Sequence, residues 1–279
     1  AWKMVFDWSV FPFLQEHDDF HRYFNRCLLL MTLVSLIIFW RLLGIKSWNE
    51  IGWGKGKYNL NHFIGGLLLG LGSLVLLSSL ALSLGERYFN NGITAAHWGN
   101  HFAATILGGI IISAIEETIF RGVLYMTLRR DHKFILAASL SALFYASVHF
   151  IDQKPSITGV NWTTGFTSLP YFIHDFAGDP YWPAAFINIF LAGLILAGLT
   201  ERTGNLYFAI GTHAGWIIST KTDAFATYPA NVFFTHVTQN SKIWGLDNIT
   251  NGWAATPLLT IIACYIFLDT DEQSNTESN

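Results

Sequence analysis

The chain has 279 residues, of which 52% are hydrophobic and only 13% are charged. That charged fraction is about half of what an ordinary soluble domain carries, and the formal net charge of −3 lacks the basic excess of a nucleic-acid-binding protein. Its hydrophobicity excludes a disordered chain, and two cysteines, Cys27 and Cys264, are too few for a disulfide framework or a Cys-rich zinc site. The composition therefore predicts a polytopic membrane protein.

Seven segments are apolar and long enough to predict membrane helices, each of which needs about 20 mostly apolar residues. In chain order they are roughly 23–44, 62–84, 101–128, 133–151, 184–200, 205–219 and 252–268. In the second segment, Gly66 and Gly70 stand at a spacing that lets helices approach closely in lipid, which predicts a packing role. We therefore predict an all-α fold, a polytopic transmembrane helical bundle of about seven to eight membrane helices, in a single transmembrane domain, 1–279.

The segments between and beyond these helices are polar or aromatic. Residues 1–20 are rich in Trp and Phe, show no signal-peptide pattern, and are expected to lie at the membrane interface. Two long loops, about 152–183 and about 220–251, are rich in aromatic residues, Pro, Gly and Asn. They are either ordinary surface loops or segments that pack on the membrane face and cover a cavity. Residues 269–279 are polar and acidic and are expected to be disordered.

The third predicted helix contains three ionisable residues in apolar surroundings: Glu116, Glu117 and Arg121. An ionised group at the middle of the membrane costs about 2.5–3.5 kcal/mol on insertion scales, so such residues persist where they are paired, face a cavity or serve a function. Glu117 and Arg121 are four residues apart and share a helical face, which predicts an ion pair. Glu116 is rotated by about 100° from Glu117 and is therefore predicted to face a partner on another helix.

Two histidines in other predicted helices are natural partners for Glu116. His149 stands near the end of the fourth segment and His213 in the middle of the sixth. A carboxylate and two imidazoles around a water are sufficient to activate that water and to stabilise the resulting oxyanion. A purely structural ion pair and ordinary packing histidines remain the alternative, but five ionisable groups on three helices favour a functional site.

The same residues fall into three ordered motifs. The motif E-E-x-x-x-R is intact at 116–121. The motif F-x-x-x-H ends at His149 but has Tyr145 in place of Phe, with Phe144 one position earlier. The motif H-x-x-x-N/D begins at His213 but ends at Ile217, so its polar last member is missing.

Through these motifs the chain resembles the CPBP intramembrane proteases, also called the CAAX prenyl protease 2 or Abi family. The resemblance covers roughly 60–219, the predicted catalytic core. Residues 190–215, FLAGLILAGLTERTGNLYFAIGTHAG, are also similar to the family's usual succession of a Gly-rich helix, a polar turn and a helix that bears His.

The resemblance implies an intramembrane endopeptidase that cuts a membrane-associated or prenylated protein without a metal or another cofactor. Glu116 would be the catalytic base, acting with His149 on a water. Glu117 and Arg121 would hold the geometry and electrostatics of the site, and His213 would support the oxyanion. The implied partners are a membrane-embedded or lipidated substrate and the lipid bilayer, with no nucleic acid, and the expected location is a multi-pass position in a prokaryotic cell membrane.

The departure at Ile217 removes one donor from the oxyanion-stabilising part of the site. Asn188, in the fifth predicted helix, is a candidate for compensating this loss, and a water or a backbone donor is another. The departure also favours an alternative: a weakly active or inactive membrane scaffold or immunity protein of the same fold.

Two further classes compete for the same residues. Two Glu and two His could bind zinc, but the sequence has no H-E-x-x-H motif, and Arg121 adds positive charge where a cation would lie. A proton-coupled or ion-coupled transporter would use intramembrane charges as well, but it predicts inverted repeats, and the sequence shows no internal repeat. Both are less favoured than the protease.

Overall fold

A computed structural model of the chain describes residues 42–150, 163–167, 181–230, 241–245 and 248–277, together with residues 30, 31, 34, 38 and 40. Internal contacts divide the chain into two compact units. One comprises 1–45 and 147–179, and the other comprises 46–146 and 180–279. The predictions for residues 1–20, for most of the first membrane segment and for most of the loop 152–183 lie outside the described residues.

Six long helices follow one another in the described part of the chain. They are α1 (Asn59–Ser83), α2 (Ala95–Asp131), α3 (Phe134–His149), α4 (Trp182–Thr203), α5 (Tyr207–Ala226) and α6 (Ala255–Glu277). Short helical turns lie at Trp48–Ile51, Thr164–Thr167, Ser241–Trp244 and Ile249–Asn251. The predicted all-α class is confirmed, and each of the last six predicted segments contains a helix.

Three of the described helices are long and apolar enough to cross a membrane, namely α1, α2 and α4. The helix α3 and the part of α6 at Ala255–Leu268 are apolar but shorter. Helix α5 does not qualify, because polar residues such as Thr212, Lys221 and Asp223 interrupt it. The protein is therefore a multi-pass integral membrane protein, although fewer spans are found than the seven to eight that the sequence predicts.

Helix α1 is hydrophobic on all sides, as expected for a helix surrounded by lipid and protein. Leu60, Leu68 and Leu76 are exposed, whereas Gly66 and Gly70 are buried. Several leucines of α1 thus face outward, and the two glycines face a neighbouring helix, where close backbone approach provides the packing.

Helices α1 and α5 interlock through glycines on both sides. A Cβ atom at Gly66 would overlap the Phe208 carbonyl oxygen, and one at Gly211 would overlap the Phe63 carbonyl oxygen. The packing role predicted for Gly66 is therefore confirmed. Because α5 also packs along α2, this contact fixes where α5 presents its side chains.

A second apolar contact surface joins α1, α4, α5 and α6. Leu77, Leu196, Trp216 and Leu259 are among its buried members. The indole Nε1 of Trp216 donates a hydrogen bond of 3.0 Å to Ser73 Oγ, so the one polar atom of this side chain is satisfied within the apolar packing. These contacts join α5 to α1, α4 and α6.

Helix α5 ends at Ala226, seven residues after the predicted end at 219. There the chain enters a two-stranded antiparallel ribbon, unpredicted from the sequence, of β1 (Arg87–Phe89) and β2 (Thr227–Pro229). At the other end of the chain, the backbone of α6 is helical to Glu277, within the segment predicted to be disordered. That prediction, like the single-domain prediction, stays untested.

Candidate active site

Helix α2 changes its winding where the motif 116–121 begins. Residues Ala95–Glu117 are α-helical, Thr118–Tyr125 form a π-helix, and Met126–Asp131 are α-helical again. In the π-helix each N–H bonds the carbonyl five residues back, as Met126 does with Arg121. Such segments are rare, and they occur frequently at functional sites. The sequence predicts a single helix here but gives no sign of the altered winding.

Side chains from other elements hold the π-helix. Trp53 Nε1 donates a hydrogen bond of 2.9 Å to Thr118 Oγ1, at the first residue of the segment. Ser141 Oγ, on α3, donates a bond of 3.1 Å to the carbonyl oxygen of Phe120. The unusual winding is therefore stabilised by tertiary contacts, which a local sequence pattern does not encode.

The predicted ion pair between Glu117 and Arg121 forms in the interior of the protein. Arg121 Nη1 donates to Glu117 Oε1 at 3.0 Å, and both side chains are completely buried. Arg121 Nη2 donates to the Gly193 carbonyl oxygen at 3.3 Å. A Cβ atom at Gly193 would approach the Cβ of Ala142 to 2.8 Å, so the glycine allows α4 to lie this close to α3. The pair is thus locked among three helices.

His213 bridges the two adjacent carboxylates. Its Nδ1 lies 2.9 Å from Glu117 Oε1, and its Nε2 lies 3.8 Å from Glu116 Oε2. Because an ionised carboxylate can only accept, the hydrogen of the ring is assigned to Nδ1, which donates it to Glu117. The Nε2 edge of the ring therefore faces Glu116. The sequence predicts His213 as a partner of Glu116, but the shorter contact is with Glu117.

Glu116 and Glu117 differ in exposure as their rotation about the helix predicts. The side chain of Glu116 is 28% exposed, whereas that of Glu117 is 0% exposed. The Glu116 side chain is therefore partly open, although its Oε2 atom is buried, while Glu117 is enclosed by Arg121 and His213.

Tyr145 is a site residue that sequence reasoning noted only as a departure from a motif. Its ring lies under the guanidinium of Arg121, with 4.3 Å from Cζ to the ring centroid, a cation–π geometry. Its hydroxyl lies 3.5 Å from His213 Nε2. We call Glu116, Glu117, Arg121, Tyr145 and His213 the polar cluster. In the sequence, the feature that indicates Tyr145 is its position four residues before His149.

The charges of the polar cluster nearly cancel. Two carboxylates and one guanidinium leave one negative charge when His213 is neutral, and a further proton on His213 removes it. Buried charges are tolerated in a medium of low dielectric constant only when they are compensated in this way.

Two other predicted site residues are His149 and Asn188. His149 is the last residue of α3 and is exposed, and its role beside Glu116 stays a prediction. Asn188 is buried, and its amide nitrogen donates to the carbonyl oxygens of Thr250 and Gly252 at 2.8 and 2.9 Å. Both of its amide hydrogens are thus engaged, and its predicted oxyanion role stays untested.

The position that lacks the polar residue of the third motif lies beside α2. Ile217 is one turn beyond His213 on α5 and is half-buried. A Cβ atom at Gly109 would lie 3.6 Å from Ile217 Cγ2, so the Ile217 side chain points toward the helix that carries Glu116.

Among the described residues, no group of three or more His, Cys, Asp or Glu side chains is arranged to hold a metal ion.

Ionisable side chains that lie together inside apolar helices define an intramembrane polar site. In membrane proteins, such a site marks catalysis or transport. Residues 98–219 match the family model described as Type II CAAX prenyl endopeptidase Rce1-like. This stretch contains all three motifs, and over it the chain is similar to the family of CAAX-type prenyl endopeptidases. Searches of curated proteins and of solved structures found no match. This similarity supports, at the level of the family, a CAAX-type intramembrane endopeptidase that acts on membrane-associated proteins.

Proposed function

We propose that this protein hydrolyses a peptide bond in a prenylated or otherwise membrane-associated protein, using a water activated by Glu116 and His149 and no metal. The observation that carries the proposal is the partly exposed Glu116 side chain, whose Oε2 lies 3.8 Å from His213 Nε2, with His213 anchored on the buried Glu117–Arg121 pair. The proposed catalytic core is 60–219, within a single transmembrane domain.

The proposed reaction uses the partly exposed Glu116 side chain as its base. Glu116 takes a proton from a water that His149 orients, and the water oxygen bonds to the carbonyl carbon of the substrate. The C=O π electrons move to the oxygen, and the resulting oxyanion lies near His213. Collapse of this intermediate breaks the C–N bond, and Glu116 returns its proton to the leaving nitrogen. Apolar helices around the site exclude bulk water and strengthen these interactions.

Glu117 is assigned a different role from its neighbour. Its Oε1 already accepts hydrogen bonds from Arg121 and His213, and its side chain is closed to solvent. A base in that position could not meet a water. Glu117 therefore positions His213 and leaves proton transfer to Glu116.

The decisive variant is Glu116→Gln, which keeps the size of the side chain and removes its basicity. The protein is reconstituted in lipid nanodiscs and assayed on a farnesylated peptide that ends in a C-a-a-X sequence. Loss of a general base predicts a fall in kcat of about 100- to 10,000-fold. Glu50→Gln, which alters a surface carboxylate paired with Arg130, is the matched control and should retain full activity. Unchanged cleavage by Glu116→Gln would show that the mechanism is wrong.

The metal-free part of the proposal has its own measurement. Dialysis of the reconstituted protein against EDTA, followed by assay in metal-free buffer, should leave kcat unchanged. A loss of activity that zinc restores would instead assign the Glu and His side chains to a metal.

The missing polar residue at Ile217 favours one alternative, an inactive scaffold of the same fold. The two functions differ in the wild-type protein itself. A scaffold cleaves neither prenylated nor unprenylated peptides, whereas the proposed enzyme cleaves the former and loses this activity in Glu116→Gln.

A further inference from the structure

Two departures from the family motifs fall on positions around the same histidine. Tyr145 stands where the second motif has Phe, and its added hydroxyl lies 3.5 Å from His213 Nε2. Ile217 stands where the third motif has a polar residue, one helical turn beyond His213. Relative to the motifs, position 145 has thus gained a hydrogen-bond donor, and position 217 has lost one.

The hydrogen bond between His213 and Glu117 determines which atoms can donate at this edge. With its hydrogen on Nδ1, the singly protonated ring has only a lone pair at Nε2. The Tyr145 hydroxyl, in contrast, carries a hydrogen in every protonation state of the histidine. When the ring takes a second proton, Nε2–H becomes a donor beside the hydroxyl.

The spacing of these two atoms suits one shared acceptor. Donors of an oxyanion hole lie about 2.7–3.1 Å from the position of the oxyanion. Two donor atoms that are 3.5 Å apart can both reach a single oxygen at that distance. Glu116 Oε2 lies 3.8 Å from the same Nε2, so the base and both donors border one small space.

The orientation of Tyr145 is fixed by its own packing. Its ring lies under the Arg121 guanidinium and meets the edge of Phe120 at 4.9 Å between centroids. The side chain is only 4% exposed. A hydroxyl held in this way requires little reorganisation when charge develops beside it, which is the condition for effective electrostatic stabilisation.

We infer that the Tyr145 hydroxyl is a catalytic donor that stabilises the oxyanion together with His213, in place of the polar side chain missing at Ile217. The inference rests on the proposed peptide hydrolysis, to which it adds Tyr145 as a catalytic residue. In the reaction, Tyr145 O–H donates to the oxygen that receives the C=O electrons, and its own O–H bond stays intact.

The first test removes only the hydroxyl. Tyr145→Phe restores the residue type of the family motif, so the packing against Arg121 and Phe120 is retained. Loss of one oxyanion donor predicts a fall in kcat of about 100- to 1,000-fold, with little change in KM. Tyr125→Phe is the matched control, because Tyr125 is also buried but its hydroxyl donates to Glu201. Tyr145→Phe with wild-type kcat overturns the inference.

The second test asks whether a polar side chain at position 217 can replace the Tyr145 hydroxyl as a donor to the oxyanion. Ile217→Asn in the Tyr145→Phe background should restore kcat at least about tenfold, because the new amide replaces the lost donor. The same change in the wild-type background should have little effect. An identical effect in both backgrounds would mean that the two sites act independently and would overturn the replacement of one by the other.

A spectroscopic readout separates this inference from the proposed function. The chain contains ten histidines, so the ¹⁵N imidazole signals of His213 are assigned by their loss in His213→Asn. Tyr145→Phe should shift the Nε2 signal and leave Nδ1 in place, and an unmoved Nε2 signal overturns the contact. If the wild type cleaves no peptide, the proposed function fails, while the spectrum still decides the Tyr145–His213 contact.

Discussion

His213 and Glu117 are joined by a contact of 2.9 Å between Nδ1 and Oε1, and almost no part of either side chain reaches solvent. This contact links α5 to α2 and turns the opposite edge of the imidazole toward Glu116. The arrangement divides two adjacent carboxylates between two tasks. Glu117 contacts the histidine from inside the protein, whereas the side chain of Glu116 is partly exposed.

The first prediction separates anchoring from chemistry at His213. In His213→Asn, the amide can still donate to Glu117 but has no atom at the position of Nε2. We expect His213→Asn to unfold near the wild-type temperature. His213→Ala should lose about 1–3 kcal/mol of stability, because the buried Glu117 carboxylate loses a hydrogen-bond donor. Both variants should lose about 100-fold or more in kcat.

Thermal unfolding in detergent and peptide cleavage in nanodiscs measure the two effects at His213. His132→Ala, which alters an exposed histidine after α2, is the control for both. Equal stability of the Ala and Asn variants would mean that the Nδ1 bond does not anchor the ring.

The second prediction concerns the Glu117–Arg121 pair. Glu117→Ala or Arg121→Ala leaves a fully buried charge without this partner, which should cost about 3–5 kcal/mol of stability. The double variant Glu117→Leu/Arg121→Met removes both charges at similar volume and should recover most of that loss. It should remain inactive, because His213 is no longer anchored.

Unfolding in urea and the cleavage assay, run on the same preparations, test the pair. A double variant that is as unstable as either single one contradicts the role of uncompensated charge. A double variant that cleaves peptide would show that the pair is purely structural.

Part of this site could be predicted because it depends on helix geometry alone. The rotation of about 100° between neighbours and the face shared at a spacing of four fix the pairing of Glu117 with Arg121 and the separate direction of Glu116. These features hold in any helix that contains the motif. The structure agrees with them despite the change to π-helical winding directly after Glu117.

What the sequence did not predict depends on tertiary contacts. The π-helix is held by Trp53 and Ser141, which are distant from it in the chain. Helix α5 continues beyond the predicted end at 219, because Asp223 gives the last residues of the helix the polar character of a loop. Its charge is compensated by Arg87, which lies far away in the sequence. The sequence marks Tyr145 only as a departure from a motif, because its hydroxyl acquires significance only when α5 brings His213 beside it.

The third prediction tests the close approach of α1 and α5. Gly66→Ala places a methyl group on the Phe208 carbonyl oxygen, and such overpacking typically costs about 1–3 kcal/mol. Gly72→Ala, on the same helix, meets no atom within 4 Å and should gain up to about 1 kcal/mol, because alanine restricts the unfolded chain. Unfolding midpoints that shift in opposite directions confirm the interlock, and equal shifts contradict it.

The fourth prediction concerns Arg87 and Asp223, the buried charges where α5 meets the ribbon. Arg87 Nε donates to Thr227 Oγ1 at 2.7 Å and lies 3.2 Å from Asp223 Oδ2. Asp223→Ala leaves the guanidinium without this carboxylate and should cost about 3–5 kcal/mol in stability. Because Asp223 is about 15 Å along α5 from His213, kcat per folded molecule should not change.

Lys221→Ala is the control for this last variant, since it removes an exposed charge from the same turn of α5 and should leave the unfolding temperature unaltered. Stability is read from thermal unfolding, and activity is normalised to the folded fraction from size-exclusion chromatography. A fall in normalised kcat for Asp223→Ala would show that the end of α5 is coupled to the polar cluster. An unchanged unfolding temperature would show that the pair contributes no stability, because its attraction only balances the cost of burying two charges.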